Sequence, residues 1–206
     1  MADVNNSMQS LASQICDQIS SVFSRASNTT SALEVAVEEI AGAAARSGRV
    51  FVHGVGREGL MLKALCMRLS HLGLWAHCVG DMTTPPISSP DLLVASAGPG
   101  GFPTVDAICG VARSNGARVL LLTAQPESGS AVRHATTIAF LPAQTMADDH
   151  NDHNRPSGTM GSRPLLPMGS LYEGAMFVLF EMVVFRLAEV LGQPPEAVRS
   201  RHTNLE

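Results

Sequence analysis

The chain has no surplus of positive charge. Among its 206 residues, 14 are Lys or Arg and 18 are Asp or Glu, for a net charge of −4 and a pI near 6.0. A protein that grips nucleic acid must neutralise backbone phosphates, so this balance excludes a nucleic-acid binder. Only Lys63 among the basic residues is a lysine. Paired thiols are missing too: Cys16, Cys66, Cys78 and Cys109 lie far apart and form no CxxC. They read as free thiols in a reducing compartment. No basic, apolar leader occupies the first 21 residues, and the longest apolar run, 174–185, is broken by Glu181 and too short for a bilayer. The expectation is a cytoplasmic protein with no membrane partner. Internal repeats and low-complexity stretches are also absent. Charged residues at 16% against 45% hydrophobic exclude global disorder and supply a large core.

The length favours one domain over 1–206. Residues 1–47 read as two helices. Met8, Leu11, Ile15, Ile19 and Phe23 recur every three or four positions. Ser31 and Glu34 have capping-box spacing, and Gly48 ends the second helix. Over 49–141 the period changes. Apolar runs at 50–53, 76–79, 92–96, 118–123 and 137–141 have strand length. They alternate with helical stretches at 59–72, 104–115 and 130–134. That alternation predicts a three-layer α/β/α sandwich around a five-stranded parallel sheet, with ligands at the carboxyl ends of the strands. Residues 142–169 are polar and aperiodic. A long helix over 170–191, apolar almost all round, should lie buried between the sheet and a partner chain, with a short helix and tail after it.

Two turns are candidates for ligand binding. Gly54, Gly56 and Gly59 carry GxGxxG spacing between strand and helix, and Asp81 lies where a ribose-binding acid would sit. The pattern is a dinucleotide-site signal, with a glycine-rich turn that holds no ligand as the alternative. The second turn, Ser96 to Thr104, contains Gly98, Pro99, Gly100 and Gly101. Glu173, beside Tyr172 and flanked by Leu171, Ala175 and Met176, is a carboxylate set among apolar groups. Desolvation there would suit it to proton abstraction; its place in a first helical turn also suits the helix dipole. His150 and His153 lie in an acidic stretch without a strict metal-ligand motif, so no metal and no cofactor is expected.

Several stretches together resemble the sugar isomerase (SIS) domain family, and within it 6-phospho-3-hexuloisomerase. They are Gly54-Val-Gly-Arg-Glu-Gly59, Met67-Arg-Leu-Ser-His-Leu-Gly73, Val79 to Pro85, Pro167-Met-Gly-Ser-Leu-Tyr-Glu173 and the terminal Arg201-His-Thr-Asn-Leu-Glu206. The resemblance covers most of the chain. It implies a flavodoxin-like fold in a homotetramer with sites between subunits, and a small sugar or sugar phosphate as ligand. It also implies interconversion of a 3-ketose 6-phosphate and fructose 6-phosphate through an enediol(ate). Glu173 would be the base and His202 a partner in ring opening or oxygen-to-oxygen proton transfer. Gly56, Arg57, Glu58, Ser96, Gly98, Gly100 and Thr104 would bind substrate.

The sequence departs from the family where phosphate is held. The family's first turn reads Gly-Arg-Ser-Gly, and Glu58 takes the Ser place. Its second turn reads Ser-Gly-Ser-Gly-Glu-Thr, matched by Ala97-Gly-Pro-Gly-Gly-Phe102. Four hydroxyls are missing, and Glu58 and Asp106 bring negative charge to helix N-termini. Each lost charge-assisted contact costs about 1.5–3 kcal/mol. Three readings follow: an isomerase with altered substrate recognition, a non-catalytic sugar-binding SIS protein, and a dinucleotide enzyme.

Overall fold

The structure, a computed structural model, describes residues 7–24, 30–149 and 165–205. Five strands form its centre: β1 (Val50–His53), β2 (Ala76–Cys78), β3 (Leu92–Ser96), β4 (Arg118–Thr123) and β5 (Thr137–Phe140). Their order is β2-β1-β3-β4-β5, and every neighbouring pair is parallel. Parallel strands need both faces covered, so they are apolar without interruption. All five residues of β3, in the middle, are buried.

Side chains alternate between two cores. Val50, Val52, Leu92, Val94, Leu120 and Leu122 point to one; Phe51, Leu93, Ala95, Val119 and Leu121 point to the other. The first core is covered by α2 (Ala32–Ala45), α3 (Gly56–His71) and α6 (Ser170–Val190), with α1 (Met8–Phe23) outermost. The second lies beneath α4 (Pro103–Ser114) and a 3-10 turn at Ser130–His134. A short α5 (Met146–Asp149) and α7 (Pro195–Ser200) complete the described elements. The α/β/α layering and five-stranded parallel sheet match the expectation.

Two expectations change in detail. The helix expected from residue 59 begins at Gly56, because the first turn tolerates glycine and its N–H groups need no intrahelical partner. Gly48 does not supply the left-handed residue after α2; Ser47 does, at φ 56°. Gly48 is required instead because a Cβ there would meet the Pro90 carbonyl oxygen at 2.0 Å. As expected, α6 is buried on the sheet side: it shares the first core with the strands, and Met176 reaches Ser96 of β3. It packs against α1, α2 and α3, and its outer edge leaves Phe177 and Phe185 exposed.

Polar staples hold the sheet's entry side. Asp91, buried before β3, accepts bonds from the Arg49 backbone at 2.8 Å, from the Arg49 Nη2 at 2.9 Å and from the Ser88 N–H at 2.7 Å. Burial pushes its carboxyl up, but Arg49 and Ser88 outweigh that and hold it below the ordinary range. Asp91→Ala is therefore expected to cost roughly 2–4 kcal/mol at neutral pH. A depressed pKa contributes stability above the ordinary value of about 3.9 and loses it as pH falls through the folded value. Urea melts at pH 7 should separate variant from wild type, and the gap should close in acid. A gap independent of pH would mean lost packing rather than lost charge.

Candidate active site

Strand β2 lies on one side of β1 and β3 on the other, so the chain's direction of winding reverses between β1 and β3. Open parallel sheets have their crevice at that place. Both glycine-rich turns emerge there. In the first, Gly56 sits at φ 57°, a left-handed conformation that glycine adopts without strain. Gly59 lies so close to the end of β1 that a Cβ would be 2.5 Å from the Gly54 carbonyl oxygen. The glycine spacing thus serves the packing of α3 onto β1, and residues 56–59 form the first helical turn. Asp81 lies in an exposed turn after β2 and does not line the crevice. The dinucleotide reading loses both supports.

A cavity of about 400 Å³ fills the crevice. Its walls are the start of α3 (Gly56, Arg57, Glu58), the second turn (Pro99, Phe102) and the stretch entering α6 (Met168 to Glu173). Thr145 and Met146 add a fourth side.

Two carboxylates dominate it. Glu173, in the first turn of α6, has a side chain 15% exposed. Its Oε2 lies 3.0 Å from the Arg57 Nη2, an approach that is off the N–H direction, so this oxygen has a charge partner but no hydrogen-bond donor among the described residues. Burial pushes the carboxyl up, Arg57 pulls it down, and Glu58 pushes it up again. Arg57 also donates to the Ser170 hydroxyl at 2.8 Å and to the Met168 carbonyl. Met168 adopts a left-handed φ of 56°, local strain of the kind found beside ligand sites.

Glu58 turns the other way, into the second turn. Its Oε2 accepts from the Ser96 hydroxyl at 2.5 Å and from the Gly98 N–H at 3.0 Å. The residue is 6% exposed, and burial pushes its carboxyl up, partly offset by these two bonds. Behind them, the Tyr172 hydroxyl lies 3.4 Å from the Ser96 Oγ. The Tyr172 ring lies against Gly98, where a Cβ would approach it to 2.8 Å.

Of the expected ligand-binding residues, Gly56, Arg57 and Glu58 line the cavity. Ser96 and Gly98 lie beneath it, engaged by Glu58. Gly100 is outside it: its left-handed φ of 103° and closeness to Gly129 join the second turn to the loop after β4. Thr104 is exposed on α4 and also outside. His202 is placed apart from Glu173. Its ring stacks on His71 with centroids 5.3 Å apart, at the opposite end of the 16-residue α3 from Arg57. Those ends are about 20 Å apart. The sequence reading left Thr145, Met146, Met168 and Ser170 unassigned and gave Tyr172 no role. His150 and His153 lie outside the described residues; among the described residues no group of three or more His, Cys, Asp or Glu could hold a metal.

A doubly wound parallel sheet with a two-carboxylate cavity at its switch point places the chain among the α/β folds whose ligand crevices lie at the strand ends. No protein-family profile matches the chain. It is 35% identical over 208 residues to a 3-hexulose-6-phosphate isomerase of Mycobacterium gastri, covering 100% of this chain and 98% of that protein. With the 3-hexulose-6-phosphate isomerase of Bacillus subtilis it shares 32% over 160 residues, 78% of this chain and 81% of the other. A Methanococcus jannaschii structure, described as inferring a molecular function of 3-hexulose-6-phosphate isomerase, aligns with a TM-score of 0.73. That match is 23% identical and covers 95% of this chain and 98% of that one. The chain belongs to the SIS-domain family, close to 6-phospho-3-hexuloisomerase.

Proposed function

We propose that the protein is a ketose isomerase of the 6-phospho-3-hexuloisomerase type, with Glu173 as its base. The observation that carries this reading is Glu173 itself: a largely desolvated carboxylate on a cavity wall, raised by burial, with one oxygen that has no hydrogen-bond donor among the described residues. A carboxylate in that state takes a proton from carbon more readily than a solvated one. In a 3-ketose the proton leaves C2, giving a 2,3-enediol(ate). Return of a proton to C3 leaves the carbonyl at C2. Glu173 would perform both transfers from one face, while Arg57 beside it stabilises negative charge developing on the neighbouring oxygens. Within one chain His202 is too far to shuttle protons between those oxygens. It would act only in the site of a neighbouring copy, which is the arrangement that the family's tetramer implies.

The experiment is incubation in D₂O with fructose 6-phosphate and, separately, fructose, with NMR detection of deuterium at carbon. Incorporation into either sugar supports the isomerase. A non-catalytic sugar-binding role has the filled second turn in its favour, since Glu58 already occupies donors there. Saturable binding of a sugar with no deuterium incorporation would decide for that role.

A further inference from the structure

We propose that Glu58 is a tethered anion that keeps a phosphoryl group out of the second turn, so that the cavity selects a ketose whose end there is an uncharged hydroxyl. This rests on the isomerase reading for the carbonyl end of the ligand and concerns only the other end.

The first support is occupancy. The Ser96 hydroxyl and the Gly98 N–H converge on one point, as donors to an anion do, and Glu58 Oε2 is already at that point, 2.5 and 3.0 Å from them. The carboxylate is carried by the first turn of α3 and is 6% exposed, so a second anion cannot share the donors with it. The second support is donor supply. Pro99 and Pro103 have no N–H to offer, and Phe102 presents an apolar wall to the cavity. The third is charge. Among the described residues Arg57 is the only cationic side chain on the cavity wall, and it is shared among Glu173, Ser170 and Met168. At the start of α4, Asp106 has one buried oxygen with no hydrogen-bond partner among the described residues, while its other oxygen lies 3.5 Å from Arg133. Among the described residues a phosphate dianion would therefore meet carboxylates and only cations already paired with one.

What the turn can bind follows from the same contacts. The second oxygen of Glu58 makes no hydrogen bond among the described residues, and Glu58 is part of the cavity wall. Burial raises this carboxyl, and a sugar hydroxyl can bond to it in either state, donating to the ionised form and accepting from the protonated one. A phosphate dianion, which only accepts, has no such freedom.

The test is titration calorimetry of the full chain with fructose 6-phosphate, fructose and inorganic phosphate. Wild type should bind fructose at least as tightly as fructose 6-phosphate, and inorganic phosphate should not compete. Glu58→Ala frees both donors and should move the affinity ratio toward fructose 6-phosphate by about tenfold or more, the scale of one charge-assisted contact. Glu58→Gln keeps an acceptor for Ser96 and Gly98 while removing the charge, and should move the ratio in the same direction by less. Melting curves establish that each variant folds. Wild type binding fructose 6-phosphate tenfold more tightly than fructose would overturn the inference, as would failure to bind either sugar or an unchanged ratio in both folded variants. Deuterium incorporation separates this from the isomerase reading. Exchange into fructose 6-phosphate alone removes this inference and keeps the isomerase; tight binding of fructose without exchange does the reverse.

Discussion

Glu173→Gln should lower the rate of deuterium incorporation by about 10³-fold or more while leaving the protein folded. A positioned general base contributes about 10²–10⁴-fold, and the carboxamide has nearly the same shape but no basicity. Arg57 keeps its bonds to Ser170 and Met168 in the variant, so the entry to α6 stays in place. Stability should move the other way from activity. Burial raises the Glu173 carboxyl above its ordinary range. A raised carboxyl contributes fully below the ordinary value of about 4.3 and loses that contribution as pH rises through the folded value. Wild type is thus penalised at neutral and alkaline pH in a way the glutamine variant is not. Melting temperatures at pH 5 and pH 8 should show the variant gaining on wild type as pH rises, the usual trade of stability for a reactive group. Exchange that survives in the folded variant would place the base elsewhere.

The sheet was legible because parallel strands buried on both faces must be apolar at every position, and β3 and β4 are nearly that. Glu173 was legible for a related reason. Its helical neighbours Ala175 and Met176 are core residues, so a carboxylate between them has little water. Contacts between distant segments were not legible. The sequence places a negative charge at the start of α3 and predicts repulsion of phosphate. It says nothing of the carboxylate folding onto Ser96 and Gly98, 38 and 40 positions away. The pairing of Arg57 with Glu173 is likewise a product of the fold. Residue pattern also misleads where two causes share one signature. Gly54, Gly56 and Gly59 have the spacing of a nucleotide loop, yet two of them permit close packing of helix on strand. Tyr172 had no periodic signal beyond being one more apolar position, although its hydroxyl reaches the Ser96 cluster.

Arg57→Ala and Glu58→Gln should shift the acidic limb of the pH–rate profile in opposite directions. Glu173 must be ionised to act as base, so this limb follows its titration in the free enzyme. Burial raises that titration, Arg57 opposes the rise, and Glu58 reinforces it. Removing the guanidinium leaves the two raising influences alone, and the limb moves to higher pH. Removing the Glu58 charge takes one of them away, and the limb moves to lower pH. The arginine variant should also lose rate in both kcat and kcat/KM, by about 10–100-fold at pH 7, because the same side chain ties α3 to Met168 and Ser170 at the entry of α6. Raising the pH should recover the part of that loss that is electrostatic and none of the part that is positional. Arg57→Lys separates the two further: it keeps the charge beside Glu173 and so should hold the limb near its wild-type position, but one ammonium lacks the planar fork that serves three partners at once. Two variants that lower the rate without moving the limb would mean that Arg57 and Glu58 shape the cavity and do not set the ionisation of Glu173.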